Sequence, residues 1–551
     1  MRRFAPLLAA IGSGAAMALS LPLVIPWLSL RQLDPSGWSS LLAWVALVPL
    51  LWALGQVRTT RAAAGLGFAA GLACFYTAIY WVSHAMTAFG GLPGWVAFIG
   101  LSALVGFMAA HWALAAAVAF AVRRALGWPL WLHLPFTWTA TELLRNYLIT
   151  GFPWANLGYT QVRALPVAQL AALGGVYAIA FLVVLVNGAL AEALEARLAG
   201  RPPPLRLLGG VGAVLALVVG GGSWRLAALR GELARAPSIE VAVVQVNLDQ
   251  GAKNRARDHV EAMLERLVPP TLQADAEGAE LVAWPEAAWP AYARPGTRSF
   301  AGGRAGLPSL RQAHLLLGAA TLEEVRDPAG PGRLRVENST FLVGPDLAVK
   351  GRYVKHHLVP FGEYVPLAEL LPFLKQVVPG MAPASPGGAL NLLEFQGRDG
   401  SPVKVGSMIC FDAIFPEIGL ALARQDPDLL VNPTNDAWYG YSSGPYQFLD
   451  IVRLRAVETG RSIARPAYSG VSALILPTGE LLPGSLEVGP VDPELAPTPE
   501  EPSRVLRGRL PRRHGLTPYA RIGDLFAVAC AVLSLAALAA AWRVRRPAAS
   551  R

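Results

Sequence analysis

Residues 403–417 read VKVGSMICFDAIFPE. A β-branched run, interrupted by Gly406 and Ser407, ends at Cys410, and acidic residues and a proline follow at once. This is how a buried strand looks when it delivers one side chain to its end, where a loop or helix begins. The chain holds three cysteines. Cys74 and Cys530 lie inside long apolar runs and read as small buried hydrophobes. Cys410 stands in a polar, soluble-looking region. Alone it has two readings, core residue or nucleophile, and the residues elsewhere in the chain decide between them.

At 551 residues the chain is too long for one domain. Hydrophobic residues make up 54% and charged residues 15%, with a mean hydropathy of +0.41. That balance belongs to a membrane protein. The net charge of +10 is mostly arginine in short connectors. No basic block with interleaved aromatics points to nucleic acid. The cysteine spacings give no disulfide framework and no zinc pattern. The adjacent His356 and His357 lack partners at metal-ligand spacing. We therefore expect neither a metal nor a cofactor.

Apolar segments near 5–24, 37–55, 62–86, 92–122, 128–147, 167–194 and 205–223 predict seven membrane helices within 1–225, and an eighth lies near 522–542. Each approaches or exceeds the roughly 20 residues needed to cross the hydrocarbon layer. The start reads as a retained first helix rather than a cleaved signal, because more apolar spans follow at once. Arg2 and Arg3, Arg58 and Arg61, Arg123 and Arg124, then Arg197, Arg201 and Arg206, and finally Arg543, Arg545 and Arg546 all count to one side of eight spans. The positive-inside rule makes that side cytoplasmic and puts the large insert before the last span outside, in the periplasm of a two-membrane bacterium. One outer loop, RNYLITGFPWANLGYTQ (145–161), has two open readings: an interfacial aromatic belt, or a re-entrant loop at the lipid headgroups.

From Ser238 the texture changes. Strands are expected at 239–247, 279–286, 315–321, 338–344, 403–410, 428–436 and 471–477, with helices over 255–275 and 445–460. Strands alternate with helices, and several are apolar on both faces. The expectation is an α/β layered domain over 238–513, leading back to the membrane in a last segment, 517–546. The stretch 366–398, rich in Leu, Pro and Gly, reads as a long arm with exposed apolar residues.

Three positions in this domain carry chemistry. Glu286 ends AELVAWPE, Lys355 sits in RYVKHHLVPFGEYVP (352–366), and Cys410 ends the opening stretch. Acyl transfer through a thiol needs a base, a donor for the oxyanion and a proton for the leaving group. One Glu, one Lys and one Cys supply these. Each has a bland alternative: Glu286 as an acid near a helix start, Lys355 as a surface charge, Cys410 as core. Lysine is notable because the chain has five, against 42 arginines. A lysine chosen where arginine is the default suggests a compact point charge.

WPE, then KHHLVPFGEYVP, then CFDAIFPE, in this order, resemble the nitrilase superfamily. The eight expected spans and the motifs TGFPWANLGY (150–159), NDAWYG (435–440), GPYQ (444–447), RAVETGR (455–461) and TPYARIGD (517–524) narrow the resemblance to the apolipoprotein N-acyltransferase family, over essentially the whole chain. The resemblance implies an α-helical membrane bundle with an extracytoplasmic αββα sandwich in a bacterial inner membrane. It implies transfer of a fatty acyl chain from a phospholipid, usually phosphatidylethanolamine. The acceptor would be the α-amine of the diacylglyceryl-modified N-terminal cysteine of an apolipoprotein, with a thioester between the two steps, in a monomer. It assigns Glu286 as base, Lys355 as oxyanion stabiliser and Cys410 as nucleophile, with Glu363, Phe411, Asp412, Asn435 and Trp438 supporting. Phe411 and Asp412 depart from the Tyr-Glu pair frequent in the family, and RPAYSG (465–470) departs from a Thr-Asn-type segment. The rival reading is a membrane-anchored nitrilase-like amidase with water as acceptor, but a water-soluble amide would need neither the apolar arm nor the tryptophan loop. A degenerate scaffold is disfavoured by the intact trio, and a lipid transporter by the lack of an intramembrane charge cluster.

Overall fold

The computed structural model describes residues 4–24, 38–88, 90–247, 258–302, 306–325, 333–365, 384–483 and 504–545. They fall into two compact units, Met1–Ser83 with Pro93–Ala227 and Ile522–Arg551, and His84–Leu92 with Ala228–Arg521.

The first unit is helical, as runs of Leu, Ala and Val with few charges dictate. All eight expected stretches carry helix, but length and composition divide them. Gly94–Leu126, Ala171–Leu198, Leu205–Leu233 and Leu525–Val544 are long and apolar enough to cross a membrane. Thr60–Ala78 continues into Val82–Ala88 at an angle of 52°, and counting that pair makes five. Ala5–Leu19 has 15 residues and Trp38–Leu54 begins as a 3-10 turn. Leu130–Tyr147 is 18 residues long but buries Glu142 and Arg145. Among the described residues, length and apolarity thus support four spans, or five with the bent pair. Small residues let these helices approach closely: a Cβ on Gly71 would lie 2.7 Å from the Ala109 Cα.

The loop 145–161 is divided, with Tyr147, Leu148 and Ile149 exposed and the stretch around Trp154 buried. Trp154 is 1% exposed, stacks on Phe152 and packs at 4.9 Å from the Trp81 ring. Arg145 donates to the Asn156 side chain, and Glu142 accepts the Leu157 backbone N–H at 2.8 Å. Buried polar groups thus take one another as partners.

The second unit is built on two sheets. Its strands are β1 (Ser238–Gln245), β2 (Leu281–Ala283), β3 (His314–Val325), β4 (Arg333–Val343), β5 (Val349–Val354), β6 (Leu393–Gln396), β7 (Pro402–Ser407), β8 (Leu429–Val431), β9 (Ser462–Arg465), β10 (Ala473–Ile475) and β11 (Arg504–Pro511). One sheet has the order β11-β1-β2-β3-β4-β5 and the other β10-β9-β8-β7-β6. The parallel strands β2 and β8 and the edge strand β10 are apolar throughout and wholly buried, as strands covered on both faces must be. Across the sheets, the Thr340 hydroxyl meets that of Ser407 at 3.1 Å. Met263, Leu267 and Ala274, on the helix Asp258–Ala276, pack into the core with Val282 and Trp284.

Four strands escaped the sequence reading. β6 lies inside the stretch read as an arm, whose apolar residues Leu367, Leu370, Leu371, Phe373 and Leu374 fall outside the described residues. β11, RVLRGRLP, looks like a charged linker. Its Leu506 and Leu510 point inward, while Arg507 and Arg509 pair with Glu277 and Glu240. It runs antiparallel to β1 over that strand's full length. β5 and β9 are short and mixed in character, too brief to show a period.

Three strands end at the three chemical positions: β2 three residues before Glu286, β5 immediately before Lys355, and β7 three residues before Cys410. Gly318 on β3 makes room for the first of these, since a Cβ there would lie 2.2 Å from the Pro285 carbonyl oxygen and 3.1 Å from the Glu286 Cα. Gly318→Ala should push the Glu286 loop off the sheet at a cost of about 1–3 kcal/mol. The expected result is a lower thermal unfolding midpoint for the detergent-solubilised full chain; an unchanged midpoint would show that the loop yields freely.

Candidate active site

The centre of the site is the Lys355 ammonium, 1% exposed. Its backbone N–H continues the ladder from β5 to Asn338 on β4, which fixes where the side chain starts. Its Nζ donates to Glu286 Oε1 at 3.0 Å and to Glu363 Oε1 at 2.9 Å. Burial alone would pull the lysine down, but the two carboxylates outweigh it and hold Lys355 well above the ordinary value. An ammonium has three protons, so one remains for a third partner. Asn338 braces the same pair, donating to Glu286 at 2.7 Å and to Glu363 at 3.3 Å. Glu363 also accepts the Val359 N–H at 2.8 Å, which ties down the loop between Lys355 and itself. The second oxygen of Glu286, Oε2, is buried and has no hydrogen-bond partner among the described residues. An orphan carboxylate oxygen in a buried site is an acceptor in waiting.

Cys410 opens a 3-10 turn, Cys410–Ile414, that runs into the helix Pro416–Ala423. Its φ is +46°, and its N–H donates to the Pro433 carbonyl at 2.8 Å. Ala287, beside Glu286, has φ +47°, and Phe361, two residues before Glu363, has φ +59°. Left-handed backbone at non-glycine residues costs on the order of 1–3 kcal/mol each. Here it turns the chain sharply at each of the three corners of the site. Burial pushes the Cys410 thiol far up, and the Glu286 charge adds to this. Lys355, the Thr434 hydroxyl and the Asn435 N–H act the other way but do not prevail. Burial and the Glu286 charge thus both favour the protonated thiol.

Asp412 has a clear task. It accepts backbone N–H groups from His356 at 3.2 Å, His357 at 2.7 Å and Ile409 at 3.0 Å, and the Tyr353 hydroxyl at 3.0 Å. It thereby binds the segment after Lys355 to the turn that carries Cys410. Phe411 packs edge-on against Phe415, and His357 stacks on Phe415 at 3.6 Å. Asn435 contributes its backbone to the sulfur, while its side chain caps the turn Asp436–Tyr439 at Ala437. Trp438 lies half-buried on that turn. Beneath it, Arg465 grips Asp436 through two bonds of 2.9 and 3.0 Å, both side chains fully buried, with the guanidinium 4.8 Å from the Phe448 ring centre. The departing segment RPAYSG thus supports the Cys410 side of the site from below.

Sequence reading located Glu286, Lys355, Glu363 and Cys410, and the fold brings the first three into direct contact. It missed Asn338, Thr434, Tyr353 and the Asp436–Arg465 pair. Asn338 offered no distinguishing signal, since it stands in the polar run Glu337, Asn338, Ser339, Thr340. The others have no local signature.

Comparison with known proteins follows this geometry. The carbon-nitrogen hydrolase family model matches residues 240–488, and the model of the apolipoprotein N-acyltransferase N-terminal domain matches residues 13–189. The carbon-nitrogen hydrolase match thus falls on the α/β part of the chain. An apolipoprotein N-acyltransferase of Geobacter metallireducens is 37% identical over 547 residues, covering 98% of this chain and 95% of that one. One from Caulobacter vibrioides is 30% identical, covering 90% and 89%. With likeness at that level along both units, the chain belongs to the apolipoprotein N-acyltransferase family. The crystal structure of Saccharomyces cerevisiae Nit3, of the nitrilase superfamily, aligns with a TM-score of 0.33 and 18% identity, covering 50% of this chain and 90% of that one.

Burial raises the Asp412 carboxyl from 3.8 to about 6, against the pull of the His357 N–H and of Lys355. The folded state therefore holds this proton more tightly than the unfolded chain. That contribution to stability is complete below the ordinary value and is lost as pH rises through about 6. Function has the opposite need, because the carboxylate accepts four donors and the acid accepts fewer. Acylation of Cys410 is expected to fall as pH drops through about 6. Asp412→Asn should slow it roughly 10- to 100-fold and remove that acid limb from the pH–rate profile. A limb that persists in the variant belongs to another group.

Proposed function

We propose that this chain transfers a fatty acyl group from a membrane phospholipid to the α-amine of the N-terminal diacylglyceryl-cysteine of apolipoproteins, through a thioester on Cys410. The observation that carries the mechanism is the division of labour at Glu286, with Oε1 held by Lys355 and Asn338 and Oε2 left open. In the first step Glu286 takes the Cys410 proton as the sulfur attacks the ester carbonyl. Lys355 turns its remaining N–H to the oxyanion. Collapse breaks the ester C–O bond, and Glu286 returns the proton to the departing lysophospholipid oxygen. In the second step the lipoprotein amine attacks the thioester, Glu286 accepts a proton from the nitrogen, and the sulfur leaves as a thiol when that proton returns.

Each role follows from chemistry that the sequence alone also named. A raised thiol favours concerted proton transfer over a standing thiolate, which protects the enzyme from adventitious alkylation or oxidation at rest. The reading takes phosphatidylethanolamine as usual donor and a monomeric enzyme in a bacterial inner membrane. Eight spans, a division at 1–225, 238–513 and 517–546, and a periplasmic catalytic domain complete it. Support comes from the arginine pattern, from the apolar helices and from relatives matched over both units. A water-using amidase would employ the same Glu, Lys and Cys, but would have no use for a membrane unit matched to this family.

The test is intact-protein mass spectrometry after incubation with phospholipid and no acceptor. Wild type should gain one fatty acyl mass, cleared by neutral hydroxylamine and by a diacylglyceryl-cysteine peptide. Cys410→Ala should gain none. Lys355→Ala should slow the gain on the order of 100- to 1000-fold, without rescue by Lys355→Arg. An adduct cleared by water as fast as by peptide would replace transfer with hydrolysis.

A further inference from the structure

At one end of the apolar unit lies a cleft of about 720 Å³ that the acyl-transfer chemistry does not use. The helices Val48–Leu54, Gly94–Leu126 and Ala171–Leu198 all end beside it. Trp52, Leu54, Phe120 and Leu198 are apolar parts of its lining, and Gln56 lines it too. Its rim carries Arg123, Arg124 and Arg201, with Glu195 as the lone acid. Glu195 is taken up by Arg123 through two bonds of 2.9 and 2.5 Å. Arg124 spends one N–H on the Arg58 carbonyl at 2.9 Å, and the Arg201 side chain is exposed with no partner among the described residues. Helix C-termini attract cations, each with about half a charge. The three ends here would account for an arginine or two, and Arg123 is already neutralised by Glu195. Two guanidiniums with free donors remain over an apolar trough.

We propose that this cleft binds the phosphate headgroup of an anionic phospholipid, with acyl chains lying along Trp52, Leu54, Phe120 and Leu198. The shape of the charge argues for lipid over a free anion. A soluble phosphate would satisfy the rim and leave the apolar walls wet, whereas a lipid covers both. Placement agrees. The rim arginines come from connectors that the sequence counts to one membrane side, where basic pockets between helices meet headgroups. The inference concerns lipid retention and stands or falls apart from the thioester mechanism.

The experiment uses the delipidated full chain in neutral detergent, followed by native mass spectrometry. The probe is ether-linked phosphatidylglycerol, which has no ester to donate, compared with ether-linked phosphatidylcholine of the same chains. Wild type should retain one phosphatidylglycerol in clear preference. Arg201→Gln, at an exposed position that bears on no packing, should lower that retention about fivefold, and Arg124→Gln with it further. Excess inorganic phosphate should fail to displace the lipid. Equal retention of the two lipids, or an Arg201→Gln chain that keeps the preference at wild-type melting temperature, overturns the site. Complete displacement by inorganic phosphate overturns the lipid and leaves a plain anion site.

Discussion

A lysine ammonium removed from water and shared between two carboxylates is the constraint on which the catalytic unit depends. Lys355 could not stay charged at 1% exposure without Glu286 and Glu363. Removing one partner of such a buried pair typically costs about 3–5 kcal/mol. That cost explains the surroundings. Asn338 braces both acids, and Glu363 grips the Val359 N–H. Burial first, and then the Glu286 charge, push the Cys410 thiol upward.

The nucleophile side is held by a second set of buried charges. Asp412 gathers four donors and joins the loop after Lys355 to the turn of Cys410, so base, cation and sulfur share one frame. Asp436 and Arg465 lock the turn that brings Thr434 and Asn435 to the sulfur. The strained φ values at Ala287, Phe361 and Cys410 are tolerable because these bonds over-determine the backbone around them. Asp in place of Glu at 412, and Arg-Pro-Ala-Tyr in place of the family's usual segment, therefore read as components of one scaffold.

The apolar unit obeys a different economy. Its polar groups find each other within the protein, as Arg145 does with Asn156 and Glu142 with the Leu157 N–H, because lipid would offer them nothing. Its helix Leu205–Leu233 buries little of its apolar surface within the protein, which a hydrocarbon surround accounts for.

The sequence by itself determined the division into an apolar helical part and an α/β part, because long apolar runs and short two-faced strands have incompatible periods. It singled out Glu286, Lys355 and Cys410 as candidates, because a polar residue at a strand end leaves a local mark: WPE, a rare lysine, a run closing on Cys. Tertiary structure decided what has no local mark. β11 is a strand only because β1 offers an edge and Glu277 and Glu240 offer charge to its arginines. Asn338 joins the site because β4 lies beside β5. The thiol is pushed upward because burial, which no linear pattern records, acts against the nearby ammonium. Eight apolar stretches were legible as such, but which of them are long enough to cross depended on where helices bend, begin in 3-10 turns or bury a charge, and those are consequences of packing.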